Sequence, residues 1–168
     1  MSVDFYVASE QWPAAPAMQK CLAQHGYPVK LKRFPVARDG EIVGDGILAE
    51  VDGQDAYLEG EVYPPAVGLT GENAEDRTAD VGMMNERLAQ FPSEPFRVSP
   101  KHYLVSIRIG GSPAEFSATA YIVAGLVNCF GAFAYEPQGD TYGRKVFADG
   151  LIAQAQIMKS YVGNHASK

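Results

Sequence analysis

The most constraining feature of this 168-residue chain is a run without charged side chains, from Phe116 to Tyr135. Its first part, Phe116–Phe130, puts apolar residues on every side of a helix, which predicts a helix buried all round. Ser112 and Pro113 are favoured at helix starts, and Gly131 is favoured at a helix end. Because the run is rich in small residues and lacks a basic flank, we expect a core helix and not a membrane span.

Other segments alternate apolar and polar residues with a period of two, which predicts β-strands. These segments are Val3–Ala8, Val29–Arg33, Ile47–Val51, Ala56–Tyr63, Tyr103–Ile109 and Ala132–Tyr135. Helical spacing predicts three further helices, around Met18–Leu22, over Val81–Phe91 and over Val146–Val162. Turn-forming residues predict loops at Arg38–Asp45 and at Pro64–Thr78, the second one acidic and mobile.

Strands that follow one another in hairpins, with helices between them, favour an α+β class over strict βαβ alternation. We therefore expect a two-layer fold with a mostly antiparallel sheet. Helices should pack on one face of that sheet, with the Pro113–Phe130 helix buried at the centre. The length fits a single domain over residues 1–168.

The two cysteines, Cys21 and Cys129, are too few and too far apart to suggest a disulfide framework. Both lie in apolar helical contexts, so we expect buried, reduced thiols. The N-terminus carries acids where a signal peptide would carry bases, and it has no long apolar stretch. These observations predict a cytoplasmic protein.

The formal net charge of −6 is concentrated in one quarter of the chain. Residues 39–80 hold twelve acids and one base, a local excess of −11. Direct nucleic-acid binding requires a basic footprint, so this distribution argues against it. Two explanations of the acidic segment remain, which are binding to a basic protein partner and a simple solvated face.

Strand alternation places Tyr57, Glu59, Glu61 and Tyr63 on one sheet face. Aromatic side chains are enriched at protein interfaces, and acids beside them would steer a basic partner. The candidate partner-binding residues are Asp39, Glu41, Asp45, Glu50, Asp52, Asp55, Tyr57, Glu59, Glu61 and Tyr63. The second candidate is the loop Gly139–Arg144, which has mixed charge and a tyrosine.

The chain carries no recognised catalytic motif, and we expect no catalytic residue, cofactor or metal. His25, His102 and His165 have no second ligand at metal-binding spacing. One weak alternative is the turn Ile109–Pro113, where backbone N–H groups at a helix start could hold an anion. Paired-carboxylate catalysis by Glu59 and Glu61 would need unequal burial of the two groups, which the pattern does not indicate.

Two stretches resemble a known family. The opening strand (DFYV) and the ending GAFAYEPQGDTY after an alanine-rich helix are similar to bacterial immunity proteins of polymorphic toxin and type VI secretion systems. The resemblance covers residues 3–8 and about 102–142, and it is strongest for proteins paired with restriction-endonuclease-like nuclease toxins. It implies an effector–immunity pair, in which this chain binds a toxin and blocks its active site or substrate groove, as a nuclease inhibitor.

Two other functions stay open from the sequence. One is an adaptor or chaperone that binds a secreted effector without inhibiting it. The other is a small enzyme that uses the anion site at the Ile109–Pro113 turn. The sequence leaves self-association open and predicts no membrane contact.

Overall fold

The protein is described by a computed structural model that covers residues 2–65, 71–90, 96–139 and 141–166. Seven strands form one antiparallel sheet in the order β2-β5-β6-β7-β1-β8-β9, and β3 and β4 form a separate hairpin. The strands are β1 (Val3–Ser9), β2 (Lys30–Arg33), β3 (Val36–Arg38), β4 (Glu41–Val43), β5 (Ile47–Val51), β6 (Gln54–Tyr63), β7 (Tyr103–Ile109), β8 (Phe133–Glu136) and β9 (Thr141–Gly143). The helices are α1 (Ala15–Gln24), α2 (Gly71–Leu88), α3 (Pro113–Phe130) and α4 (Lys145–Ala166). The predicted α+β class with a mostly antiparallel sheet is confirmed.

Helix α3 is the buried centre of the fold, as its uncharged sequence predicts. The hydroxyl of Ser112 accepts a hydrogen bond from the Glu115 backbone N–H at 3.2 Å, which caps the start of the helix. Gly131 ends the helix in the left-handed conformation, with a φ of 68°. Every residue from Ser117 to Val127 is buried, because α1, α4 and the sheet all pack around this helix.

No helix in the described part of the chain combines the length and the hydropathy that crossing a bilayer requires.

The two faces of the sheet are covered differently. The face towards α3 carries the main core, which includes Phe5, Val7 and Ile107. The opposite face carries a smaller cluster in which Leu88 and Met84 of α2 pack against β1, β7 and β8. Since α2 covers only that end of the second face, the described residues leave the rest of the face open.

Two loop predictions are wrong. Arg38–Asp45 contains the turn and the second strand of the β3–β4 hairpin, and the turn residues Asp39 and Gly40 have φ values of 52° and 78°. The second half of Pro64–Thr78 is helical, because α2 begins at Gly71 and runs through the acidic residues. Residues 66–70 of that predicted loop, and the end of the helix predicted over Val81–Phe91, lie outside the described residues.

The prediction of reduced cysteines is also wrong. Cys21 in α1 and Cys129 in α3 form a disulfide across 108 residues of sequence. Cys21 is buried, but Cys129 is exposed near the end of α3. The prediction was wrong because it relied on the sequence separation of the cysteines. Packing of α1 on α3 brings the two helix ends together despite that separation. Disulfides typically stabilise a fold by about 2–4 kcal/mol.

Candidate functional site

The candidate site is the open part of the second sheet face, which we call the acidic face. It forms a depression of about 430 Å³. Its lining residues come from β1, β6 and β7 and from the segment before β5: Asp4, Tyr6, Asp45, Tyr57, Glu59, Glu61, Tyr63, Ser106 and Arg108. Strand order explains the set, because β6 pairs with β7 and β7 pairs with β1.

Strand β6 presents the predicted residues to this face. Its side chains alternate between the core, where Leu58 and Val62 are buried, and the open side, where Glu59 and Glu61 are exposed. Between them, Gly60 has a φ of 151°, and a Cβ at this position would overlap the carbonyl oxygen of Ser106 on β7. Glycine therefore allows β6 to stay paired with β7 directly beneath the two glutamates.

Glu59 lies in a cross-strand row of charges. In the sheet register Arg108 is opposite Glu59 on one side and Asp4 on the other. The Arg108 Nε–Asp4 Oδ1 distance is 2.8 Å, so the guanidinium is committed to Asp4. The hydrogen bond to Asp4 raises the pKa of Arg108, and the negative charges of Asp4 and then Glu59 raise it further. The positive charge nearest to Glu59 in this row, that of Arg108, is thus already paired with Asp4.

Glu61 lies opposite Ser106, with Tyr6 in the next strand of the same row. Within the described chain, neither Glu61 nor Glu59 receives a side-chain hydrogen bond or forms an ion pair. Both carboxylates are open to solvent. Among the described residues, a ligand can therefore reach both carboxylates without breaking a hydrogen bond or an ion pair.

Tyr57 is held in place by two neighbours, Arg33 and Gly46. The guanidinium carbon of Arg33 lies 5.7 Å from the centre of its ring, a cation–π distance. The ring also lies directly against Gly46, where any Cβ would clash with it. The side chain is nevertheless 44% exposed. An aromatic ring that is both exposed and held loses little conformational entropy on binding.

We expect Gly46→Ala to lower stability by roughly 2 kcal/mol, because it forces an alanine into a φ of +66° and displaces the Tyr57 ring. Gly53→Ala is the matched control, since Gly53 has a φ of +80° and no atoms within 4 Å of its Cβ position. Chemical denaturation should show a larger loss for Gly46→Ala. Equal losses would mean that the ring is not held by Gly46.

An apolar cleft of about 290 Å³ adjoins the acidic face on the side of α2. Met83, Met84 and Leu104 line it together with Tyr6 and Tyr63, which also line the acidic depression. Methionine side chains adapt to different partner shapes. The acidic face therefore continues into a surface that can accept an apolar side chain.

At the far end of this sheet face, on β2, β5 and the start of β6, acidic and basic side chains are neighbours. Lys32 Nζ lies 2.7 Å from Asp55 Oδ1, and both side chains are exposed. The hydrogen bond to Asp55 raises the pKa of Lys32, with smaller contributions from the charges of Asp55 and Glu50. The acids at this end have cationic neighbours, whereas the carboxylates of the depression that form no ion pair in the described chain are Asp45, Glu59 and Glu61.

The structure brings seven of the ten predicted partner-binding residues to one side of the sheet: Asp45, Glu50, Asp55, Tyr57, Glu59, Glu61 and Tyr63. The other three lie elsewhere. Asp52 occupies the β5–β6 turn and pairs with Lys159 of α4 at 3.4 Å, on the helix side. Asp39 and Glu41 belong to the β3–β4 hairpin, outside the seven-stranded sheet.

Sequence reasoning missed the residues that β1 and β7 contribute, above all Asp4, Tyr6 and Arg108. The alternation within each of these strands was visible and would have placed these residues away from the core. Alternation within a strand does not show which strands are neighbours in the sheet. Here β6 pairs with β7 and β7 pairs with β1, although these segments lie far apart in the sequence.

The two secondary candidates are weakened by their local contacts. At the Ile109–Pro113 turn, Glu115 Oε2 accepts the Gly110 N–H at 2.7 Å, so a carboxylate occupies the place of an anion. The Gly139–Arg144 segment contains β9, which pairs with β8, and is therefore not a free loop. Its Arg144 lies over the ring of Phe96 at 5.2 Å.

No protein-family model, curated protein or solved structure matches this chain.

Proposed function

We propose that this chain is an immunity protein that binds a cognate antibacterial toxin and masks its active site or substrate groove. One observation carries the proposal: Glu59 and Glu61 are exposed and unpaired within the described chain, and Tyr57 and Tyr63 flank them. The proposed toxin is a nuclease effector of a polymorphic toxin or type VI secretion system.

The chemistry of the acidic face favours a basic partner. A nuclease groove must attract a polyanion and is therefore rich in Lys and Arg. Carboxylates that project from a sheet would steer such a groove into contact, and they would repel nucleic acid itself. The tyrosines offer apolar area with a polar tip, which suits the centre of an interface.

The apolar cleft beside α2 extends the same surface. A toxin loop with an apolar side chain next to Lys or Arg would make two contacts at once. The apolar side chain would fill the cleft, and the Lys or Arg would pair with Glu61. Such a two-part contact supports binding by shape as well as by charge.

The proposed compartment is the cytoplasm, because a nuclease toxin acts where nucleic acid lies. The cytosol keeps thiols reduced, so inhibition there must not depend on the Cys21–Cys129 disulfide. That requirement is compatible with the site, since the two cysteines belong to helices on the opposite side of the sheet. We expect the reduced protein to bind the toxin as tightly as the oxidised protein.

The test is co-expression with the product of the adjacent gene. We expect a stable one-to-one complex and protection of cells from that product, with protection lost in Glu59→Lys/Glu61→Lys. A stable complex without protection would identify an adaptor and overturn the proposal. Protection without a stable complex would indicate an enzyme and would also overturn it.

A further inference from the structure

The ends of two helices place three metal-ligating side chains together. Cys21 lies in the last turn of α1, and His25 follows four residues later, with its backbone N–H bonded to the Cys21 carbonyl at 3.1 Å. Residues at this spacing share a helix face. Cys129 lies in the last turn of α3. The ligand atoms of Cys21, His25 and Cys129 all lie within 4.8 Å of one another.

Close packing of the two helices produces this cluster. At Gly125 of α3, a Cβ would come within 2.9 Å of Met18 and 3.0 Å of Leu22 on α1. Near the helix ends, Asn128 Nδ2 donates to the Tyr27 hydroxyl at 3.2 Å, and the Tyr27 ring stacks on the His25 ring at 5.4 Å. The imidazole is thus held beside the two sulfurs by contacts that do not involve the disulfide.

We propose that the reduced protein binds a thiophilic divalent ion, with Zn²⁺ as the model, through Cys21, Cys129 and His25. Two thiolates and an imidazole form a donor set typical of zinc. With Zn–S bonds of about 2.3 Å, the sulfurs of a tetrahedral site lie roughly 3.8 Å apart. Rotation of the exposed Cys129 side chain supplies that separation once the sulfurs are no longer bonded.

In the oxidised protein the two sulfurs are bonded to each other, so the site cannot bind the ion through two thiolates. Reduction of the disulfide converts the site into the form that binds. A dithiol reductant transfers two electrons and two protons to the Cys21–Cys129 bond, which yields two thiols and leaves the reductant as a disulfide. The divalent ion then displaces both thiol protons and forms two metal–thiolate bonds. Three protein ligands leave the fourth position for water or an external ligand.

A purely structural disulfide needs no histidine, and this difference defines the experiment. The full-length protein is reduced with a dithiol, freed of reductant without oxygen, and titrated with Co²⁺ as a spectroscopic probe. We expect thiolate-to-cobalt charge-transfer absorption that Zn²⁺ removes by competition. The oxidised protein should bind at least 100-fold more weakly, because its sulfurs are bonded to each other.

His25→Ala keeps both cysteines and the disulfide, so it tests the site without removing the crosslink. Loss of a direct ligand should weaken cobalt binding at least as much as loss of an outer-shell partner does, roughly 10- to 100-fold. Gln24→Ala, at the neighbouring exposed position of α1, should leave the affinity unchanged. Far-ultraviolet circular dichroism checks that each reduced variant remains folded.

Three results would overturn the proposal. The first is a folded, reduced wild-type protein without thiolate-to-cobalt absorption. The second is an unchanged cobalt affinity in His25→Ala, which would leave two cysteines as an ordinary thiol pair. The third is equal binding by the oxidised and reduced proteins.

Discussion

Ala124→Asp is expected to prevent this protein from folding. Ala124 lies in the middle of α3 and is 0% exposed. A carboxylate introduced there would lose its water shell among apolar side chains such as Ile122 and Leu126. The penalty for an unpaired buried charge is several kcal/mol, and the total stability of a domain is about 5–15 kcal/mol. We therefore expect inclusion bodies or a protein without a cooperative thermal transition.

The matched control is Ala153→Asp, which places the same side chain at an exposed position of α4. It should cost only the difference in helix propensity, about 0.5 kcal/mol. Calorimetry of the two variants separates burial from propensity. A soluble Ala124→Asp protein that melts at the wild-type temperature would show that α3 is not the core.

The central helix was predictable because its information is local. Ser112, Pro113 and Gly131 mark its ends through their own backbone chemistry, and the absence of charge marks its burial. Helix α2 was less predictable. Gly71 reads as part of a loop, and of the acidic residues after it the glutamates favour a helix but Asp76 and Asp80 do not. No apolar face appears until Val81.

In the candidate site, too, the features set by local sequence were predictable and those set by tertiary packing were not. Alternation in β6 correctly placed Tyr57, Glu59 and Glu61 together, because a strand's two faces are set by its own sequence. The charge pairing of Arg108 with Asp4 depends on which strands neighbour one another. The Cys21–Cys129 contact likewise depends on tertiary packing across 108 residues, and no local pattern encodes it.

Charge reversal on the acidic face is expected to change toxin binding strongly. Glu59→Lys/Glu61→Lys should lower the association rate more than tenfold at low ionic strength. The effect should shrink as salt is added, because the Debye length falls to about 8 Å at physiological ionic strength. Tyr57→Ala/Tyr63→Ala should instead raise the dissociation rate, by about 30-fold for each tyrosine that contributes roughly 2 kcal/mol.

The control for net charge is Glu10→Lys/Asp149→Lys. Both acids are exposed. Glu10 follows β1 at the end opposite Asp4, and Asp149 lies on α4, where it pairs with Lys145. This variant changes the net charge by the same amount as Glu59→Lys/Glu61→Lys. A steering effect that belongs to the acidic face should be much weaker in the control.

The most direct test of the proposed toxin-binding face is surface plasmon resonance of these folded variants against the toxin encoded by the adjacent gene, at low and physiological salt. We predict a salt-dependent loss of association rate in Glu59→Lys/Glu61→Lys and faster dissociation in Tyr57→Ala/Tyr63→Ala. We also predict near wild-type kinetics in Glu10→Lys/Asp149→Lys. Wild-type affinity in both face variants at low salt would place the interface elsewhere and contradict binding by the acidic face.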